Sequence, residues 1–164
     1  RALYLNRMVA GINRQIQKYL AVKTVTSLLT GALTVLVLVI FGVDFALLLG
    51  FLAFVLNYIP SIGSIVATLI AGLMAFFQFG NSLTPVWVLL LLGIIQTVIG
   101  NFIDPKLMGR TLDLSPLLVI FSLIFWGWLW GVAGMFLAVP LLAVFKIIFE
   151  NVPSLKFLAV LMSK

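Results

Sequence analysis

The sequence contains neither cysteine nor histidine. Disulfide staples, thiolate nucleophiles, Cys/His zinc sites and histidine-based triads are therefore excluded. Carboxylates are nearly as scarce, with Asp44, Asp104, Asp113 and Glu150 the only four in 164 residues, and their scatter pairs no two on one helix face. Hydrolytic chemistry has almost no raw material, so no enzyme, metal site or cofactor is expected. Charge of either sign is thin, at 9% of residues, against roughly a quarter in soluble domains.

Apolar residues fill the space instead: they make up 64% of the chain, and its mean hydropathy is +1.32. Between Asp44 and Asp104 lie 59 consecutive uncharged residues, and between Asp113 and Lys146 another 32. One spanning helix needs only about 20, so these runs hold several crossings. The expected fold is all-α, a polytopic membrane helical bundle.

An amphipathic helix over residues 1–23 opens the chain. Leu5, Met8, Val9, Ile12, Ile16, Tyr19 and Leu20 recur at steps of three or four, with Arg7, Arg14, Gln15, Gln17 and Lys18 between them. Such a helix lies on lipid, packs on a partner or runs as a solvated connector into the first span. The membrane domain, 24–150, follows as spans or half-spans at about 24–43, 45–58, 64–79, 85–102, 117–130 and 132–148, and 151–164 form a tail. The segments at 45–58 and 64–79 are short for a hydrocarbon core of about 30 Å. Meeting at a Pro/Gly turn, they predict a re-entrant hairpin, with two thin or tilted spans as the competing reading. The tryptophans Trp126, Trp128 and Trp130 cluster beside Gly131, as aromatic residues do at a membrane interface.

The first 23 residues carry Arg1, Arg7, Arg14, Lys18 and Lys23; Lys106 and Arg110 lie in the stretch from Asn101 to Pro116; Lys146, Lys156 and Lys164 close the chain. Counting crossings puts all three groups on one side, which the positive-inside rule makes the cytoplasm. Topology thus accounts for the net charge of +6, and nucleic acid is not an expected partner. Membrane lipid is. The start, "RALYLN", lacks Met, which suggests the C-terminal part of a longer protein.

Polar groups inside lipid are expensive, so their positions are informative. Asn57, Gln78, Gln96 and Asn101 lie within apolar stretches, with Asp104 just beyond. In "LNYIPSIGSIV" the proline removes an amide donor, leaving carbonyls such as those of Leu56 and Asn57 without helical partners. Neighbouring protein, water, an ion or a substrate must then satisfy them. The stretch 50–63 also resembles 93–109 in its order of glycine, Asn, aromatic, Ile and proline, as a degenerate repeat would. The candidate path residues are Asn57, Pro60, Ser61, Gly63, Gln96, Asn101, Asp104 and Pro105. A structural kink satisfied by packing is the competing reading. Small residues at Gly63, Ser64, Ala67, Ala71 and Gly72, and at Gly131, Ala133, Gly134 and Ala138, permit close helix approach, within the chain or between copies.

In order and spacing these motifs resemble the C-terminal half of the autoinducer-2 exporter family of bacterial transporters. The resemblance is carried by Tyr19, Lys23, Ser27 and Gly31, by Ile59-Pro60-x-Ile62-Gly63, by Asp104-Pro105-Lys106 with Gly109, and by Gly131-x-x-Gly134 followed by Ala138-Val139-Pro140. It implies a multi-pass inner-membrane protein that assembles as a homo-oligomer, a pentamer by family resemblance, and exports a small polar molecule such as autoinducer-2. Some members are associated with sodium/proton antiport. That makes a monovalent cation the alternative cargo, with Asp104 as the titrating group, although Lys106 and Arg110 nearby favour a structural ion pair or cap. A membrane assembly protein that transports nothing is the third reading.

Overall fold

A computed structural model describes residues 2–108, 114–152, 157, 160 and 162. Arg1, Gly109, Arg110, Asp113, Lys156 and Lys164, most of the 151–164 tail, and the side chains of 2–9, including Leu5, Arg7, Met8 and Val9, lie outside the described residues. Every regular element among the described residues is helical. Four stretches are long and apolar enough to cross a membrane: Ala10–Ile40, Ile62–Phe79, Thr84–Met108 and Pro116–Glu150. They fit a membrane helical bundle. The chain divides into two compact units, one made of residues 1–21 with 108–164 and the other of 22–107.

Helix α1 (Ala2–Ile40) is unbroken for 39 residues, about 58 Å at 1.5 Å per residue. No proline interrupts these residues, and no turn separates the first turns of the helix from the apolar span that follows. Ile12 and Ile16 are half-buried and Tyr19 is buried, whereas Leu20, assigned to the same apolar face, is exposed. In the unit of 22–107 the usual polarity of a soluble helix is inverted. Lys23, Thr26, Ser27, Thr30 and Thr34 are buried, while Val25, Leu28, Leu36 and Val39 face outward. Lipid wets apolar side chains as well as a protein core does, so hydroxyls turn inward where protein can bond them. Ser27 Oγ accepts from Asn57 Nδ2 at 3.0 Å and Thr30 donates within its own helix to Thr26 O at 2.8 Å, whereas Thr34 Oγ1 has no partner among the described residues.

Helices α2 (Ala46–Leu56) and α3 (Ile62–Phe79) form an antiparallel pair. Gln78 ties the open end: its Nε2 donates to Gly42 O at 2.9 Å and its Oε1 accepts from Asp44 N at 2.8 Å. α2 rests on α1 where Gly31 meets Gly50; a methyl added to Gly31 would stand 2.9 Å from Gly50 O. α3 turns its small residues Gly63, Ala67, Ala71, Gly72 and Ala75 inward, and α4 (Thr84–Val98) packs Val88 and Leu92 into the same core as Ala71, Ala75, Leu38 and Leu49. A π-helical segment, Ile99–Ile103, then leads into α5 (Asp104–Met108). The polar stretch from Asn101 therefore begins as helix: Pro105 falls in the first turn of α5, where its fixed φ suits a helix, and its missing amide is felt only at the turn before it. The likeness between 50–63 and 93–109 does not extend to the backbone, since the first contains a turn whereas 93–108 runs on as helix.

In the other unit, α6 (Pro116–Asn151) is interrupted at Gly131, with φ 64° and ψ −144°. Ser122 Oγ reaches Ala138 O at 3.0 Å, although 16 residues of straight helix would put them about 24 Å apart. The helix thus folds back on itself, sealed where Gly134 lies against Trp126 O. Tyr19, Leu114 and Val139 form this unit's small core. Gly131→Ala places a side chain in backbone space open almost only to glycine, and is expected to cost about 1–3 kcal/mol. Thermal unfolding of the full-length protein in detergent measures it.

Candidate functional site

The break in "LNYIPSIG" is a tight turn. α2 stops at Leu56, and Ser61 takes φ 60° and ψ −54°, bridged by Ile62 N donating to Pro60 O at 2.6 Å. This is a γ-turn of the rare, strained hand. It holds because its surroundings over-determine it: Ile59 N donates to Leu56 O at 2.9 Å, Gly63 N donates to Ile59 O at 3.2 Å, and Gly63 lies so close to Leu56 O that no side chain fits.

In a continuous helix Asn57 O would accept from the amide of Ser61. Here its donor is Lys23, whose Nζ lies 3.3 Å away. The same ammonium lies 2.6 Å from Asp104 Oδ2, across 81 residues of sequence. Asn57 Nδ2 in turn donates to Ser27 Oγ at 3.0 Å. Lys23 and Asp104 are 6% and 7% exposed, so this is a buried ion pair bound to the carbonyl end of a broken helix. Sequence proximity points Asp104 toward Lys106 or Arg110. Instead Lys106 is exposed, Arg110 lies outside the described residues, and Lys23 is the partner.

The π-helical segment supplies a second irregularity. Asp104 N donates to Ile99 O, five residues back. An α-helix would have it donate to Gly100 O; in π register that task passes to residue 105, and Pro105 has no amide hydrogen. Gly100 O is left without either helical donor. Such segments recur at functional sites.

Both irregularities open on one cavity of about 410 Å³ in the unit of 22–107. Of the residues singled out from sequence, Asn57, Pro60, Ser61, Gln96, Asn101 and Asp104 line it. Gly63 stands behind the turn and Pro105 is exposed on the helix; neither is in the lining. Lys23, Ser64, Thr68, Thr97 and Gly100 join the lining without having been singled out as path residues. Two buried oxygens, Asp104 Oδ1 and Thr68 Oγ1, have no hydrogen-bond partner among the described residues. A buried polar group left unpaired costs on the order of 1–3 kcal/mol, so these atoms suit a guest that donates hydrogen bonds. The described residues contain no cluster of His, Cys, Asp or Glu able to hold a metal ion.

The sequence model of the AI-2E family transporters matches residues 3–154. The chain is similar to the AI-2 transport protein TqsA of Escherichia coli K12, 44% identical over 162 residues that cover 94% of this chain and 46% of that protein. A protein of Borreliella burgdorferi is 44% identical over 150 residues, 91% of this chain and 41% of its own length. PerM of Escherichia coli K12 is 35% identical over 159 residues, 93% of this chain and 45% of its own. The chain spans less than half the length of these relatives.

Proposed function

The chain belongs to the AI-2E transporter family and is part of a multi-pass membrane protein, and we propose that this protein exports a small, uncharged, polyhydroxylated solute through the cavity beneath the Pro60 turn. The observation that carries the reading is the charge balance of that cavity. Lys23 and Asp104 neutralise each other at 2.6 Å, while Asp104 Oδ1 and Thr68 Oγ1 have no hydrogen-bond partner among the described residues. A hydroxylated guest can donate to both without adding charge. A free cation would leave the cavity net positive in surroundings of low dielectric.

Autoinducer-2 is the solute of choice, since TqsA is named for its transport. The remaining features of the proposal rest on the sequence. The membrane is the bacterial inner membrane, the ends of this chain are cytoplasmic by the positive-inside rule, the helix of 1–23 lies at the cytoplasmic side, and the assembly is a homopentamer in contact with lipid. α2, with eleven residues, spans about 16 Å. The pair α2–α3 accordingly enters as a re-entrant hairpin whose tip faces the path. Antiport through Asp104 is not favoured, because its carboxylate already holds an ammonium.

Labelled autoinducer-2 moving across proteoliposomes of the full-length protein tests this reading. Absence of flux, or sodium-driven proton movement in its place, overturns it. Thr68→Val supplies a local probe, removing a buried hydroxyl at nearly constant shape. Stability should hold or rise, while the KM for the solute rises about 3- to 10-fold, the worth of one hydrogen bond.

A further inference from the structure

The Lys23 ammonium has two ligands from different elements. One is a buried carboxylate oxygen, Asp104 Oδ2 at 2.6 Å, and the other a backbone carbonyl at the carboxyl end of an interrupted helix, Asn57 O at 3.3 Å. Carboxylates and freed carbonyls at the ends of broken membrane helices are what transporters use to coordinate a coupling sodium ion. We infer that this is a monovalent-cation site whose cation is built into the chain, with the Lys23 ammonium tethered where a free ion would otherwise bind.

Three observations support the assignment. Lys23 is buried to 6% exposure, ammonium included, although lysine usually keeps its charged head in water. Its two partners come from elements far apart in sequence, the α2 terminus and the first turn of α5, so the ammonium joins them as a bridging ion does. Asn57 is itself oriented by Ser27 through its amide, at 3.0 Å, which holds the carbonyl end of α2 against the lysine. The site is permanently filled. Resting on the transport reading, it follows that solute movement by the wild type needs no external sodium.

The test uses the purified full-length protein in detergent and reads thermal unfolding, so it stands whether or not any solute is transported. Lys23→Ala removes three methylenes and the ammonium and leaves a vacancy that sodium or propylammonium fits. In choline chloride this variant should unfold at least about 5 °C below wild type. Sodium or propylammonium chloride at equal ionic strength should restore stability in a saturable way. Wild type should respond equally to all three salts. Lys23→Ala/Asp104→Asn, which lacks the carboxylate, should lose the response.

Two results overturn the inference. One is failure of both cations to restore Lys23→Ala. The other needs no variant: saturable stabilisation of the wild type by sodium over choline, abolished in Asp104→Asn, means that the site is open to external ions. Proteoliposomes that move no solute, with these cation responses intact, reject the proposed function alone.

Discussion

Asp104→Asn is expected to destabilise the full-length protein by about 3–5 kcal/mol, because it strands the Lys23 charge in a site more than nine-tenths buried. Lys23→Met is expected to do the same from the other side, with Asn57 O losing its donor as well. The double replacement should recover much of the loss, since neither charge then remains to be desolvated. Unfolding of all four proteins in detergent closes the double-mutant cycle. A coupling below about 1 kcal/mol, the range of exposed pairs, contradicts the burial described above. Solute flux should stay low in the double mutant even where stability returns, because Asn57 O is still without its ammonium and the cavity has lost its charge pair.

Gly63→Ala is the second large effect. An added methyl would overlap Leu56 O, and the obstacle is backbone, which cannot rotate aside as a side chain can. The hairpin has to open at its tip, which is expected to cost at least about 3 kcal/mol, the upper range of overpacking penalties, and to abolish flux. Gly93→Ala is the control. Gly93 lies in the interior of α4, on the cavity wall, with nothing within 4 Å of an added methyl, so as a control for stability alone the change should be neutral or stabilise by up to about 1 kcal/mol through helix propensity. Equal losses in the two variants would refute the close approach of α3 to Leu56.

Several parts of the site were legible in the residues. Pro60 marked the break, since a proline in lipid leaves its helix short of a donor, and Asn57, Gln96, Asn101 and Asp104 stood out as polar groups in apolar surroundings. These line one cavity, whereas Gln78, marked by the same signal, instead bonds Gly42 O and Asp44 N at the far end of the α2–α3 pair. Thr68 escaped notice because threonine is unremarkable in a membrane helix, and only the absence of a partner for its buried hydroxyl sets it apart. Gly100 escaped because a carbonyl is orphaned by register, and register is invisible in composition. Proximity in sequence pointed Asp104 toward Lys106, which is exposed, whereas the described partner of Asp104 is Lys23, 81 residues away.

By itself the sequence determined that this protein is helical and lives in a membrane, that its helix breaks at Pro60, and which motifs tie it to its family. Each follows from local physics: the cost of charge in hydrocarbon, the missing proline amide, the room that glycine leaves. Only the tertiary structure decided that the ammonium capping the broken helix comes from residue 23, that its counter-charge comes from residue 104, and that the irregularities at Ser61 and Gly100 face one space. Pairing across 81 residues is set by how whole helices pack, and lipid removes the inside-outside polarity from which such packing could be read in a soluble chain.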